Sequence, residues 1–592
     1  MPEPTGHPTN ESHANRNFAI LSLGLLVVAA ALTPLINFPA GDSWSYGWTI
    51  QQWLQDHFVL NDWSSALALP QQILGWIINI GRENVDWSRL SFLTALITIA
   101  GLLLSAELPS KLFPNQPHLK DWAPIFAITA LAASFTLKIA SGFMTDGYYL
   151  FFMVTAIWLV VCALNDQNQT RRTWVRRWVG FAALSILASL QRSHGLVLPF
   201  ITGAWLLLAK PLTNQNSNKD ERWRFWFALG SCAVAFLLSV LIVSNPDLQP
   251  ARSVEVGKEM LHAWAGRAVP LARMLFNRII LVFGILEHFG FAILPVALLA
   301  RLHLTTQEKR AGKKGANWWY VAGGALFIMI AIEIYVSQHK LFPYVGNSIT
   351  VEGFGPRSET IALTAGHKLP EDLLIALTLV GTIGGMVLIW LLSRTVRFRN
   401  IDWRSTPTLV GLLGLAHLGL VLLNPKFFDR YLVPMWPFAF CWLAPIFKDA
   451  LPKARLMGWI IVVPLLIFSL WGTWDYLDWT RSKWDLAAEL RANNIPPNHI
   501  LAGYEADGFY NFTNEQYRGQ VEIPQPVSGT PWYVSKLRLP IIPDWVIAEK
   551  GADLSNSPWK DLDQWLTYSN DRMDVLTSPS IGDRIEPLPF AE

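Results

Sequence analysis

The chain has 592 residues, 52% of them hydrophobic and 15% charged, with a formal net charge of +3. A soluble domain carries about a quarter charged residues, so a soluble fold is excluded and a polytopic membrane protein is indicated, in keeping with a mean hydropathy of +0.29. Nothing in the charge points to a nucleic-acid partner. The three cysteines, Cys162, Cys232 and Cys441, all stand in apolar runs, with neither zinc-ligand spacing nor a disulfide framework.

Residues 1–17 are polar and read as a cytoplasmic tail. The run 18–37 is long for a signal-peptide core and no A-x-A site closes it, so it reads as a retained first span. Further spanning runs lie near 89–108, 122–140, 147–164, 178–191, 194–209, 225–244, 274–301, 318–336, 371–392, 407–423, 430–447 and 457–474. The expected fold is therefore an all-α polytopic membrane bundle of about 13 transmembrane helices. The pair 178–191 and 194–209 is short and flanks QRSHG, which leaves two steep helices or a re-entrant hairpin. Lys and Arg concentrate in RRTWVRR, KDERWR, EKRAGKK, RTVRFR and KDALPKAR. The positive-inside rule then puts the N-terminus in the cytoplasm and the C-terminus outside.

The first outer loop, 38–88, contains two helical stretches. In SWSYGWTIQQWLQDHF, Tyr46, Ile50, Trp53 and Leu54 share one face. With this many Trp, that helix is expected to lie flat in the membrane interface with its aromatics toward lipid. LPQQILGWIINI, ending at Gly81, is the second. Residues 18–474 thus read as the membrane domain. After about 475 the chain is more polar and Pro-rich: WDLAAELRANN reads as helix, HILAGYE and DWVIAEK as strands. Residues 475–592 are expected to form a small extracytoplasmic α/β domain.

Five ionisable residues fall at outer ends of spans: Asp42, Asp146, Arg192, His194 and Arg430. Ionisable groups at that depth tend to be functional. Two carboxylates with several cations suit transfer chemistry on a phosphate-bearing lipid. A carboxylate can take the acceptor's proton, and Arg and His can hold the phosphate leaving group. Each has a plainer reading. Asp42 and Asp146 can cap helices, Arg430 can snorkel to the headgroups, and His194 can be a satisfied buried histidine. Glu287 and His288 interrupt one span and Glu333 ends another; they pair within the bundle or line a cavity.

The order of motifs resembles the GT-C superfamily of integral membrane glycosyltransferases, in particular the bacterial branch near protein O-mannosyltransferases and the aminoarabinose transferase of lipid A. The matching stretches are GDSWSYGWTIQQWLQDH, LGWIINIGRENVDWSRLSFLTALITIAGLLL with its Arg89, SGFMTDGYYLFF, FPYVGNSITVEGFGP, DRYLVPMWPF and WDLAAELRANNIPPNHILAGYEADGFYN. The resemblance implies that Asp42 is the catalytic base. It implies that Asp146 is the second outer acid, on the acceptor or metal side. Arg430 and Tyr431 fall near the donor phosphate, with Arg192 and His194 as further candidates. Many members follow the first acid with Glu, where this chain has Ser43. No cofactor is then required, although a divalent cation remains possible. The implied donor is a polyprenyl-phosphate sugar, and the acceptor a lipid, a glycan or a protein, with inversion at the anomeric carbon.

Two other classes stay open. A transporter or flippase would carry polar groups at the midplane, as Glu287 and His288 do. A lipid-pyrophosphate polymerase or ligase would use clustered cations in an outer loop, such as His339, Lys340, Arg357 and His367 in 337–370.

Overall fold

The structure is a computed structural model. It describes residues 36–577 except 167, 210–218, 266–270, 311–323, 325–347, 367, 396–401, 425–426, 450–451, 523–529, 551, 553–563 and 567–572. The expected tail 1–17, nearly all of span 18–37 and of span 318–336, and Glu333 lie outside the described residues.

The first loop forms α1 (Ser43–Leu54) and α2 (Leu69–Asn79). The bundle follows with α3 (Trp87–Leu112), α4 (Ala123–Ala132), α5 (Ser134–Ala140), α6 (Thr145–Asn165), α7 (Arg171–Gln191), α8 (Val197–Ala209) and α9 (Lys219–Val243). It continues with α10 (Ala251–Ala265), α11 (Leu271–Arg310), α12 (Glu371–Thr395), α13 (Thr406–Leu423), α14 (Trp436–Leu443) and α15 (Pro452–Ala492). Among the described residues seven helices are long and apolar enough to cross a membrane. An eighth span is possible if α4 and α5, bent by 81° at Ala133, form one. This is a multi-pass membrane bundle, but the count of 13 is not confirmed.

One expected span differs in an instructive way. The run 430–447 is not one helix: a 3-10 segment, Asp429–Met435, gives way to α14 and then to a second 3-10 segment, Ala444–Asp449. Pro434, Pro437 and Pro445 each lack the N–H a regular helix needs. The pair around QRSHG is two helices, α7 and α8, joined by a 3-10 turn, Ser193–Leu196. Gly195 permits that turn, because a Cβ there would sit 2.3 Å from the Ser189 backbone nitrogen.

Packing follows the small residues. α3 runs along α6, and α6 along α7. A Cβ on Gly147 would meet Thr98 Oγ1 at 2.0 Å, so the glycine sets how near α6 comes to α3. α11 and α12 are closer still: Gly290 faces the backbone of Gly384 and Gly385, with 2.1 Å left for a Cβ. The exposed residues of α15 include Leu456, Ile460, Val463, Ile467, Trp471 and Trp474, one stripe at i+3/i+4 spacing. Such a stripe fits lipid.

α15 has 41 residues, about 60 Å of helix against roughly 30 Å of hydrocarbon. It passes through position 475 without a break, so WDLAAELRA continues the last span rather than starting a new helix. Beyond it come β3 (Ile500–Leu501), α16 (Tyr504–Asn511), β4 (Trp545–Glu549), β5 (Gln564–Leu566) and β6 (Met573–Thr577). The sheet order is β3-β4-β6-β5, with β3 and β4 parallel and the other pairs antiparallel. A two-stranded ribbon, β1 (Ile349–Thr350) against β2 (Gly353–Phe354), lies in the loop before α12.

α1 corrects a second expectation. Its aromatics do not face lipid: Trp44, Tyr46, Trp48, Ile50 and Trp53 are all buried. Trp44 meets Tyr504 and Phe512 edge-on at 5.8 and 5.5 Å, and Trp48 meets Phe512 at 5.8 Å. Trp87, opening α3, meets Phe509 at 5.4 Å. Edge-on pairs contribute about 0.5–1.5 kcal/mol each beyond area burial. The first loop is thus roofed by the C-terminal segment, which takes the apolar surface that lipid was expected to cover.

Candidate active site

Five side chains from distant parts of the sequence meet at one end of the bundle. Gly41, at φ +57, makes the turn that enters α1, and Asp42 occupies the N-cap position of that helix. Its side chain does not cap it. Instead Oδ2 accepts from Arg430 Nη2 at 3.0 Å and Oδ1 accepts from the Tyr504 hydroxyl at 2.8 Å. Burial works against the charge on Asp42. Arg430, the Tyr504 hydroxyl and Arg192 outweigh it and hold the carboxyl below its ordinary value. The side chain remains 35% exposed, so a substrate hydroxyl can reach it.

Asp146 lies in the first turn of α6, where an acid suits the helix dipole. It too is no cap: the N-cap is Met144, and Oδ2 of Asp146 accepts from Arg192 Nη2 at 2.8 Å. Arg192 also donates to Thr145 Oγ1, from Nε at 3.0 Å and Nη2 at 2.7 Å. The Asp146 side chain is fully buried. One acid is therefore open and the other sealed, which the sequence pattern of two similar carboxylates does not reveal. A polar seam backs the sealed pair: Gln191 Nε2 donates to Gln71 Oε1 at 2.7 Å, and Gln71 Nε2 to the Phe143 carbonyl at 3.0 Å.

Tyr431 links the two ion pairs. Its ring lies 5.3 Å from the Arg192 guanidinium and 6.0 Å from that of Arg430. The neighbouring Asp429 is tied down by Ser348, which donates through its backbone N–H at 3.0 Å and its hydroxyl at 3.2 Å. The stretches SIT and DRYLVP, far apart in sequence, thus hold one another. Arg430 is 8% exposed, which excludes a snorkelling role. Its Nε is buried without a hydrogen-bond partner among the described residues, a spare donor beside the open acid. His194 joins neither pair; its ring packs edge-on to His417 at 5.9 Å.

Tyr504 is the member that reading by motif missed. Its stretch, HILAGYE, reads as strand, but the strand ends at Leu501 and a helix starts at Tyr504. The periodicity of seven residues cannot show where a tail folds back onto a loop.

A divalent cation fits poorly. Both acids are engaged by guanidinium groups, and the residue after Asp42 is a serine. No three His, Cys, Asp or Glu among the described residues come together to hold a metal. Glu287 is buried beside Gly381, and His288 Nδ1 lies 2.9 Å from the Gly284 carbonyl of its own helix. Arg357, from the outer-loop cation set, is ion-paired with Asp475, whereas His339, Lys340 and His367 lie outside the described residues.

No family model matches the chain, and no curated protein matches it. Solved structures do. The oligosaccharyltransferase AglB from Archaeoglobus fulgidus, in complex with an inhibitory peptide and a dolichol-phosphate, is 13% identical. That match covers 86% of this chain and 60% of that one, at a TM-score of 0.40. ArnT from Cupriavidus metallidurans, bound to undecaprenyl phosphate, is 11% identical over 95% of this chain and 97% of that one, also at 0.40. A further structure of the archaeal oligosaccharyltransferase, in complex with Zn and sulfate, is 15% identical over 77% of this chain and 55% of that one, again at 0.40. The chain thus spans about 60% of the length of the first of these relatives. At such scores the likenesses carry no part of the functional reading, which rests on the residues of the site.

Proposed function

We propose that the protein is an integral membrane glycosyltransferase. It moves a sugar from a polyprenyl-phosphate donor to a hydroxyl acceptor on the extracytoplasmic face, with Asp42 as general base. The observation that carries this is the partly exposed carboxylate of Asp42 beside a buried arginine that has a spare N–H. The acceptor O–H gives its proton to Asp42 while its oxygen forms a bond to the anomeric carbon. The bond from that carbon to the phosphate oxygen breaks on the opposite face, so the centre inverts. The electron pair leaves on the polyprenyl phosphate, whose growing charge Arg430 stabilises.

In this scheme Asp146 is a positioning residue: it holds Arg192 at a fixed place beside Tyr431. The acceptor is a lipid, a glycan or a protein. The orientation that suits the chemistry has the N-terminus in the cytoplasm and the site outside.

The test is the purified full chain with a panel of polyprenyl-phosphate sugars and membrane extract, following release of free polyprenyl phosphate. Asp42→Asn is expected to bind donor as the parent does and to lose turnover by about 10²–10⁴-fold. Equal release from both proteins would sink the assignment.

A further inference from the structure

We infer that Tyr504, set in place by Trp63, is a positioning residue for the Asp42 carboxylate, so that the base reaches its working geometry only with the C-terminal segment docked. This deepens the reading above and rests on Asp42 being the base.

The direction of the hydrogen bonds carries the argument. Trp63 Nε1 donates to the Tyr504 oxygen at 2.7 Å. An indole nitrogen only donates, so the phenol oxygen accepts there and must turn its own proton elsewhere. Asp42 Oδ1 lies 2.8 Å away, and a carboxylate only accepts. The chain Trp63, Tyr504, Asp42 therefore has one possible sense, with the phenol proton aimed at the base. Burial, with the Asp42 charge beside it, holds the Tyr504 phenol well above its ordinary value, so it stays a donor.

The carboxylate is then gripped at both oxygens, by Tyr504 from the tail and by Arg430 from the bundle. Two oxygens offer about four lone-pair sites, so each keeps one for an incoming hydroxyl. The grip fixes the plane of the carboxylate without blocking it.

The segment that carries Tyr504 is itself held on both sides. Gly503, at φ +108, makes a turn whose Cβ position would meet the Thr360 carbonyl at 2.7 Å. Asp507 accepts from the backbone N–H groups of Ala502 and Gly503 at 2.9 and 3.0 Å, and from Tyr533 at 3.0 Å. Glu505 accepts from Lys483 at 2.8 Å and from the N–H of Gly41 at 3.2 Å. Gly41 precedes Asp42, so the tail holds the backbone of the base as well as its side chain. A tyrosine buried only for packing needs none of this alignment.

Titration of Asp42 reads the contact directly. The charged groups facing it are Arg430 and Arg192, with Tyr504, Tyr46, Lys138 and Tyr476 also near enough to feel its charge. Glu505 sits one residue away, on Gly41. A hydrogen bond to the ionised carboxylate lowers its pKa, so removing it raises the pKa and less base is ionised at a given pH.

The experiment is an infrared pH-difference titration of the full chain, with Asp42→Asn identifying the Asp42 carboxyl band. Neither donor nor acceptor is needed. Tyr504→Phe keeps the ring and is expected to move the midpoint up by about one pH unit. Trp63→Phe leaves the phenol unaligned and is expected to move it the same way by less. In turnover, the acid limb of kcat/KM moves with the midpoint. Titrations of both variants that superimpose on the parent's overturn the inference. If Tyr504→Phe does not accumulate, Trp63→Phe carries the test with the same two outcomes. The reading of Asp42 as base fails separately, if Asp42→Asn still turns donor over.

Discussion

Asp146 and Arg192 show what burial does to a single pair of charges. Their side chains are 0% and 14% exposed, and each is the other's main partner. Removing one charge from such a pair strands the other in a medium that solvates it badly, at about 3–5 kcal/mol. Arg192→Gln and Asp146→Asn are each expected to lower the melting temperature in detergent, while the double variant loses less than the two singles added. Full additivity would mean that the pair is not coupled. The Asp42–Arg430 pair behaves differently because Asp42 is open to solvent: Asp42→Asn should be mild for stability and severe for turnover. At this scale the sequence was informative for four of the five residues that meet here, since an ionisable group at the end of an apolar run is conspicuous. Tyr504 was not, because a tyrosine in a polar tail has nothing unusual about it until its partner, 462 residues away, is known.

Among elements, the crossing of α11 and α12 depends on the absence of side chains. Gly290, Gly384 and Gly385 bring two backbones within a distance that a single methyl group would prevent. Gly290→Ala should force the helices apart and destabilise the bundle by about 1–3 kcal/mol. Gly257→Ala in α10, where a Cβ meets nothing within 4 Å, is expected to stabilise by up to about 1 kcal/mol through chain entropy. Thermal melts of the two variants in one detergent check the contrast, and equal shifts would refute it. Apolar runs announced most of these helices. They did not announce that 430–447 is broken by its prolines into short segments, because hydropathy counts residues and ignores missing N–H groups. Nor did they show that α15 runs on past the bilayer, since its polar second half reads as a separate element.

For the whole molecule, the decisive feature is the contact between the first loop and the last hundred residues. Trp44, Trp48 and Trp63 meet Tyr504, Phe512, Tyr517 and Trp532. Polar ties flank them: Arg518 grips Asp62 through two hydrogen bonds, and Lys483 is buried with Glu505 at 2.8 Å. Lys483→Met leaves Glu505 buried without its cation and is expected to loosen the tail. Limited proteolysis should then cut the chain beyond Lys483 faster than in the parent, and Glu505→Gln in the same background should restore part of the resistance. Unchanged cutting in Lys483→Met would show that the aromatic contacts alone hold the tail.

By itself, the sequence determined that the protein is a membrane bundle and drew attention to one zone of it. Low charge and long apolar runs allow only a membrane bundle, because backbone polar groups in lipid must be satisfied within helices. Costly ionisable residues at span ends then mark where chemistry can happen. What only the tertiary structure decided is which acid is open, which arginine serves which carboxylate, and that a tyrosine from the tail donates to Asp42. Those facts depend on long-range contacts between segments separated by most of the chain, and local periodicity carries no record of them.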